Sequence, residues 1–235
     1  MHAKGVTIND QTVKRFAVFA AAASLSTWAV DNAATQVGLP SMQSSLGISV
    51  TASQWILNLT LMVLACFVTV GGALGDRLGR LRMFRLGILL IIVGAAITFV
   101  GGLLNQFGVI LVGRAIEGFG AAFSIPAATA LLLDVFPQLE RGGAQGRMMM
   151  ISMFVTAFAP TVVGLVIQVV AWPYAFLLTI LGAGVTLFLI TRVKYDQKKP
   201  QPTPFDYVGS VLVFLTVALI TIGINPTRPD TGFGY

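Results

Sequence analysis

Long apolar stretches separated by short polar or charged segments follow one another along this chain of 235 residues. A helix needs about 20 apolar residues to cross the hydrocarbon core of a bilayer, and seven stretches reach or approach that length. They span residues 16–38, 55–74, 86–104, 107–133, 148–170, 173–191 and 207–224. The pattern therefore predicts an all-α membrane protein with six closely spaced transmembrane helices and one more after a linker.

The segments around these stretches define the predicted organisation. The linker before the seventh stretch is rich in lysine and proline, and it is the one plausible internal boundary. We expect a cytoplasmic tail over 1–15, a six-helix bundle over 16–192, a cytoplasmic linker over 193–206, the seventh transmembrane helix over 207–224 and an outer-side tail over 225–235.

Basic residues lie on one side of the predicted helices. Thirteen of the 15 Lys and Arg residues fall in the N-terminal tail, in the segments after the second and fourth stretches, or in and beside the linker. The intervening loops 39–54, 105–106 and 171–172 contain none. The positive-inside rule therefore places the N-terminus in the cytoplasm. The net charge of +6 reflects this orientation, and we do not expect nucleic-acid binding.

Composition excludes several classes of protein. Hydrophobic residues make up 56% of the chain and charged residues 10%, whereas a soluble domain carries about 25% charged residues. One cysteine, Cys66, and one histidine, His2, cannot build a disulfide framework, a Cys/His metal site or a Ser-His-Asp triad. We therefore expect no enzyme activity, no metal and no cofactor.

Three charged residues lie within the apolar stretches. Each costs at least about 2.5–3.5 kcal/mol to insert in a membrane, so we expect Asp31, Arg114 and Glu117 to face an interior or a cavity. Asp31 and Arg114 each lie seven residues from the outer end of their stretch, which puts them at matching depth. A pair that separates would let Asp31 take up a proton; a permanent pair would only align two helices. Glu117 shares the helical face of Arg114 and is a second candidate partner.

Polar and aromatic residues accompany Asp31 on the first two predicted helices. The candidate substrate-cavity residues are Trp28, Asn32, Gln36 and Asn58. The alternative is that such residues only form hydrogen bonds between helices, with Trp55 as an interfacial anchor.

The segment 72–82 is the most specific motif in the chain and reads Gly-Ala-Leu-Gly-Asp-Arg-Leu-Gly-Arg-Leu-Arg. Its glycines Gly72, Gly75 and Gly79 allow close backbone approach and a tight turn. Asp76 and Arg80 are spaced to meet across one helical turn. An ordinary basic loop does not require this glycine spacing.

This segment resembles the signature loop between helices two and three of the major facilitator superfamily of secondary transporters. Residues 110–122, with Arg114 and Glu117, resemble the family's fourth-helix motif, whose arginine is implicated in proton coupling, although glutamine is usual at the position of Glu117. Residues 159–164 resemble the fifth-helix antiporter motif. Residues 31–40, together with Trp55 and residues 205–209, are similar to the fourteen-helix drug/proton antiporter branch.

The resemblance implies a major-facilitator-like six-helix N-terminal bundle plus one additional transmembrane helix. It implies a proton-coupling site of Asp31, Arg114 and Glu117 at a central cavity. It implies a cytoplasmic charge cluster of Asp76, Arg77, Arg80 and Asp134 that stabilises one conformational state. The implied helix-packing residues are Gly72, Gly75, Gly79, Gly118, Pro160 and Gly164.

The function implied is proton-coupled efflux of small molecules, of the drug/proton antiporter kind, in a bacterial inner membrane. Such relatives are about twice as long, because their substrate path runs between two similar halves. We therefore expect a half-size form, completed by a homodimer partner or by a separate second half. The alternative function is a non-transporting membrane protein that binds or assembles a partner, or an inactive remnant of a transporter.

Overall fold

The computed structural model describes residues 10–193 together with Gly209, Leu212, Leu215, Thr216 and Leu219. Within residues 10–193 the regular structure is helical, without strands, as predicted. The six helices are α1 (Asp10–Leu46), α2 (Val50–Leu78), α3 (Arg80–Leu103), α4 (Phe107–Val135), α5 (Arg141–Val169) and α6 (Ala175–Arg192). Single 3₁₀ turns, Gln138–Glu140 and Trp172–Tyr174, precede α5 and α6. The predicted linker, seventh helix and outer-side tail lie outside the described residues, apart from Val193 and the five residues named singly.

Five of the described helices, α2 to α6, are long and apolar enough to cross a membrane. The longest helix, α1, has 37 residues and is about 55 Å long at 1.5 Å per residue. It is less apolar than the other five and is not counted among them. The prediction of an all-α, multi-pass membrane protein is confirmed, whereas the count of six helices plus one remains a prediction.

The connection between α1 and α2 is shorter than the hydropathy pattern predicts. The polar segment 39–54 was expected as a loop, but α1 continues through Pro40 to Leu46 and α2 begins at Val50. The hydroxyl of Ser49 caps α2 by accepting a hydrogen bond from the backbone N–H of Ala52 at 3.1 Å. Polar residues can extend a helix beyond the apolar core, so hydropathy marks the membrane boundary and not the helix end.

The turn between α2 and α3 consists of a single residue, Gly79. Its φ of 105° lies in a region that side chains with a Cβ rarely adopt, so glycine suits this position. Its backbone N–H donates to the carbonyl of Gly75 at 3.0 Å, which closes the last turn of α2. The predicted tight turn is therefore confined to Gly79, and α3 starts at the next residue.

The helices pack as two groups of three. In the first group α4 packs most extensively against α3 and α2; in the second, α1 packs against α5 and α6. The groups meet where α3 contacts α6 and α1 contacts α4. We call this boundary the seam. Of the five apolar helices α4 is the most buried and α5 the least.

Glycines seven residues apart bring α3 and α4 into backbone contact. The positions are Gly87, Gly94 and Gly101 on α3, and Gly113 and Gly120 on α4. A Cβ added at Gly94 would lie 2.8 Å from the Gly113 carbonyl oxygen, and one at Gly120 would lie 2.7 Å from the Gly87 carbonyl oxygen. Small residues allow membrane helices to approach closely, and this spacing repeats that approach along the whole α3–α4 contact.

Candidate functional site in the membrane bundle

Asp31 and Arg114 meet at the seam, between α1 and α4. Arg114 Nη1 donates to Asp31 Oδ1 at 3.0 Å and to Oδ2 at 2.9 Å. The side chains are 1% (Arg114) and 2% (Asp31) exposed. The structure thus brings together the two charged residues that the sequence places at matching depth, in a site that water barely reaches.

Neighbouring helices fix the orientation of Arg114. Its Nε donates to the carbonyl of Ile56 on α2 at 3.2 Å, and its guanidinium carbon lies 5.8 Å from the centre of the Phe176 ring on α6. The hydroxyl of Thr60 donates to the backbone carbonyl of Arg114 at 3.1 Å. A buried guanidinium needs several such partners to offset its lost hydration, and here three other helices supply them.

Glu117 belongs to the same buried cluster. Its Oε2 contacts Arg114 Nη1, and its Oε1 accepts a hydrogen bond from the hydroxyl of Thr98 on α3 at 3.2 Å. The side chain is 1% exposed. Glu117 is predicted as a candidate from the sequence, whereas Thr98 is not, because a threonine within an apolar stretch resembles an ordinary packing residue.

The four predicted cavity residues occupy a less buried position. On α1, Trp28 and Asn32 are half-buried and Gln36 is exposed, one turn after another along one face. The amide of Asn32 donates to the carbonyl of Trp28 at 2.8 Å, so that hydrogen bond stays within its own helix. Asn58, on α2, is half-buried. These residues are on an accessible face of the bundle, next to the turn that carries Asp31.

An open apolar groove of about 530 Å³ lies beside α5, lined in part by Val30, Phe154, Phe158 and Leu178. The rings of Phe154 and Phe158 are in tilted contact, with centroids 4.9 Å apart. The predicted cavity residues are not among those that line this groove. Two aromatic residues four positions apart on one apolar helix are the sequence feature that could have indicated this groove.

A second charge cluster lies where α2, α3 and α4 come together. Arg80 Nε and Nη2 donate to Asp76 Oδ1 at 3.0 and 2.9 Å, and Nη1 donates to Asp134 Oδ1 at 2.7 Å. Arg80 also donates to the carbonyl of Ala130 at 3.2 Å. Arg77 lies in the last turn of α2. Asp76, Arg80 and Asp134 are partly exposed, as expected for a cluster at helix ends.

The predicted helix-packing residues differ in how closely they approach a neighbour. A Cβ at Gly118 would lie 2.7 Å from Val63 Cβ, so that glycine is needed for the contact between α4 and α2. The corresponding close approach from α2 occurs at Gly71, which meets the Ala122 carbonyl. At Gly72 and Gly164 a Cβ would meet its nearest atom at 4.0 and 3.9 Å, and at Gly75 nothing lies within 4 Å. Pro160 lies exposed within α5.

The described helices therefore surround a buried ion cluster, and a second charge cluster lies at the helix ends. Residues 16–227 match the sequence profile of the Major Facilitator Superfamily. The chain belongs to this family, and it is an integral, multi-pass membrane protein. The family predicted from the sequence motifs is confirmed.

Curated relatives include drug efflux proteins. The chain is 32% identical over 197 residues to the drug efflux pump JefA of Mycobacterium tuberculosis, covering 83% of this chain and 38% of that protein. It is 21% identical to multidrug resistance protein 3 of Bacillus subtilis, covering 93% and 42%. The chain thus spans about two fifths of the length of these relatives. Its relatives are transporters and not enzymes.

Solved structures share the fold at low sequence identity. A peptide transporter, POT, in complex with sulfate superposes with a TM-score of 0.68 and 20% identity, covering 90% of this chain and 47% of that one. The proton:xylose symporter XylE superposes with a TM-score of 0.59 and 14% identity, covering 91% and 50%. The likeness therefore extends over about half of each transporter.

Proposed function

We propose that this chain forms the N-terminal bundle of a proton-coupled exporter of small molecules, and that Asp31 and Arg114 are its proton switch. The observation that carries the proposal is the pair itself, which is buried and crosses the seam between two groups of helices. The efflux relatives support the substrate class. The distribution of basic residues supports a cytoplasmic N-terminus, and the bacterial relatives support a location in a bacterial inner membrane.

In the proposed cycle, the charge state of Asp31 controls how tightly α1 is held to α4. Ionised Asp31 attracts Arg114, because an ion pair in a medium of low dielectric is hard to separate unless one charge is removed. Proton uptake by Asp31 removes that attraction, and displacement of Arg114 in turn favours protonation of Asp31. Glu117 is the second proton-coupling candidate, since it contacts the same guanidinium nitrogen.

The substrate, in this proposal, contacts the accessible face of α1 at Trp28, Asn32 and Gln36, together with Asn58 on α2. The apolar groove beside α5 supplies a surface suited to hydrophobic molecules. A second bundle, from a homodimer partner or another half, packs against α2 and α5. The large exposed side chains of α5, among them Met153 and Phe154, support that contact.

The cluster of Asp76, Arg77, Arg80 and Asp134 is proposed to stabilise one conformational state at the cytoplasmic end. Its support is geometric, because Arg80 reaches carboxylates on both α2 and α4. Exposed ion pairs contribute about 0.2–1 kcal/mol each. That energy is enough to bias two states of similar free energy, and it is too small to prevent their exchange.

The test is uptake of a fluorescent cationic dye into inside-out vesicles that contain the transporting assembly, driven by a proton gradient. We expect Asp31→Asn to reduce uptake to the level of vesicles without the protein. Glu140→Gln is the control, since Glu140 pairs with Lys14 at 3.0 Å away from the buried cluster, and we expect it to retain uptake. Unchanged uptake by Asp31→Asn would rule out the proton switch. No uptake by the unaltered protein, with stable co-purification of another membrane protein, would favour the non-transporting alternative.

A further inference from the structure

Two carboxyl groups share one nitrogen atom in the buried cluster. Both oxygens of Asp31 lie within 3.0 Å of Arg114 Nη1, and Glu117 Oε2 contacts that same nitrogen. Two oxygens bound to one nitrogen are at most about 6 Å apart. Carboxylates this close in an apolar site do not both remain ionised, because like charges repel and burial penalises the charged form.

No further charge within the described part of the chain compensates the cluster. On the elements packed around it, α2 presents Thr60 and the carbonyl of Ile56, α3 presents Thr98, and α6 presents the Phe176 ring. None of these groups is ionisable near neutral pH, and the buried cysteine of α2, Cys66, is neutral as a thiol. Asp31, Arg114 and Glu117 therefore balance their charges among themselves.

The formal charge of the cluster depends on its proton content. With both carboxyl groups ionised it is −1, and with one proton bound it is zero. An uncompensated charge in the interior costs several kcal/mol, so the neutral cluster is the stable one. Replacing either carboxyl group by an amide changes this count, because the remaining carboxylate then balances Arg114 without a proton.

We infer that Glu117 makes this cluster hold one resident proton, shared with Asp31, while Arg114 is paired to Asp31. The role of that proton in transport rests on the proposed function; the charge balance does not. A glutamine at position 117 would leave the paired state without a proton. With Glu117, the paired state therefore holds one proton more than it would hold with the glutamine that is usual in the fourth-helix motif.

The α3–α4 interface accommodates the Glu117 carboxyl group. Thr98 donates to Oε1, which leaves Oε2 as the oxygen nearest the Asp31 side of the cluster. A Cβ at Gly94 would lie 2.6 Å from Glu117 Cγ, so the glycine leaves room for this side chain. Both contacts hold Glu117 beside Asp31, where a proton can be shared.

Infrared spectroscopy of the purified full chain in a detergent without ester groups, near neutral pH, tests this directly. A protonated carboxylic acid has a C=O stretching band at higher frequency than the bands of amides and ionised carboxylates. We expect one such band in the unaltered protein, its loss in Glu117→Gln and equally in Asp31→Asn, and its retention in the control Glu140→Gln. In Arg114→Gln, both carboxyl groups take up protons and the band area about doubles, one proton per uncompensated carboxyl group.

The two amide variants decide the outcome, with circular dichroism to verify that each keeps its helical content. A band that survives Glu117→Gln or Asp31→Asn would overturn the shared proton, as would no band in the unaltered protein. Transport is not needed for this measurement. If the band is lost in both variants but the unaltered protein does not transport, the resident proton is supported. The absence of transport then counts only against the proposed function.

Discussion

Replacing Gly94 by alanine places a methyl group where α3 meets α4. The added Cβ lies 2.6 Å from Glu117 Cγ and 2.8 Å from both Glu117 N and the Gly113 carbonyl oxygen. Ordinary van der Waals contact begins at 3.4 Å. Two of the three atoms belong to the backbone and cannot rotate away, so the helices must separate by about 0.6 Å or more.

The cost of that separation follows from the packing on either side. Gly87 and Gly101 hold the same close approach one heptad away in each direction, so a shift at Gly94 also loosens their contacts. Overpacking of this kind costs about 1–3 kcal/mol. For a chain of this length that loss lowers Tm by about 2–12 °C.

Gly184→Ala is the matched control, because Gly184 lies on α6 with no atom within 4 Å of its added Cβ. Alanine favours helix over glycine by up to about 1 kcal/mol, so we expect this variant to melt at or slightly above the temperature of the unaltered protein. The chain's one cysteine, Cys66, is buried and becomes accessible on unfolding. A fluorogenic maleimide dye in a detergent melt therefore reports Tm. Equal melting temperatures for the two variants would refute the close-approach argument.

Two further changes can be measured in the same melt. Gly79→Ala forces a residue with a Cβ to a φ of 105° and is expected to cost about 1–3 kcal/mol; Gly75→Ala, in open space, is its control, and an equal loss in both would contradict the strain argument. Ser45→Ala removes the acceptor that Trp172 Nε1 reaches at 2.9 Å, at a cost of about 0.5–1.5 kcal/mol for the loss of one partly buried hydrogen bond. Ser44→Ala, with an exposed hydroxyl, is the comparison, and no difference between the two serine variants would argue against the indole hydrogen bond.

Hydropathy predicts the helices well because burial in a bilayer leaves few alternatives for the backbone. It places their ends poorly where a helix extends beyond the apolar core. The polar residues from Ser41 to Ser45 read as a loop, yet they continue α1, and Ser45 accepts the hydrogen bond of Trp172. That contact joins residues 127 positions apart, and local patterns cannot reveal it.

Buried charges were the most informative residues of the sequence, since their insertion cost demands partners. Matching depth was enough to pair Asp31 with Arg114. The glycines at 87, 94 and 101, and at 113 and 120, are also visible in the sequence as a seven-residue spacing, but they were not among the predicted helix-packing residues. Which glycines meet a neighbouring backbone depends on helix rotation, which sequence spacing alone does not determine, as Gly71 and Gly72 illustrate.

The two charge clusters join different sets of helices. Asp76, Arg80 and Asp134 lie on α2, α3 and α4, the helices whose backbones already touch through Gly94, Gly118 and their partners. The ion pairs of that cluster therefore join helices within one group. The Asp31–Arg114 pair crosses the seam, where α1 and α4 meet less extensively than α4 meets α2 and α3 or α1 meets α5 and α6. A change of charge shifts packing most where close backbone contacts do not oppose it, so in the proposed cycle protonation at Asp31 acts between the two groups of helices.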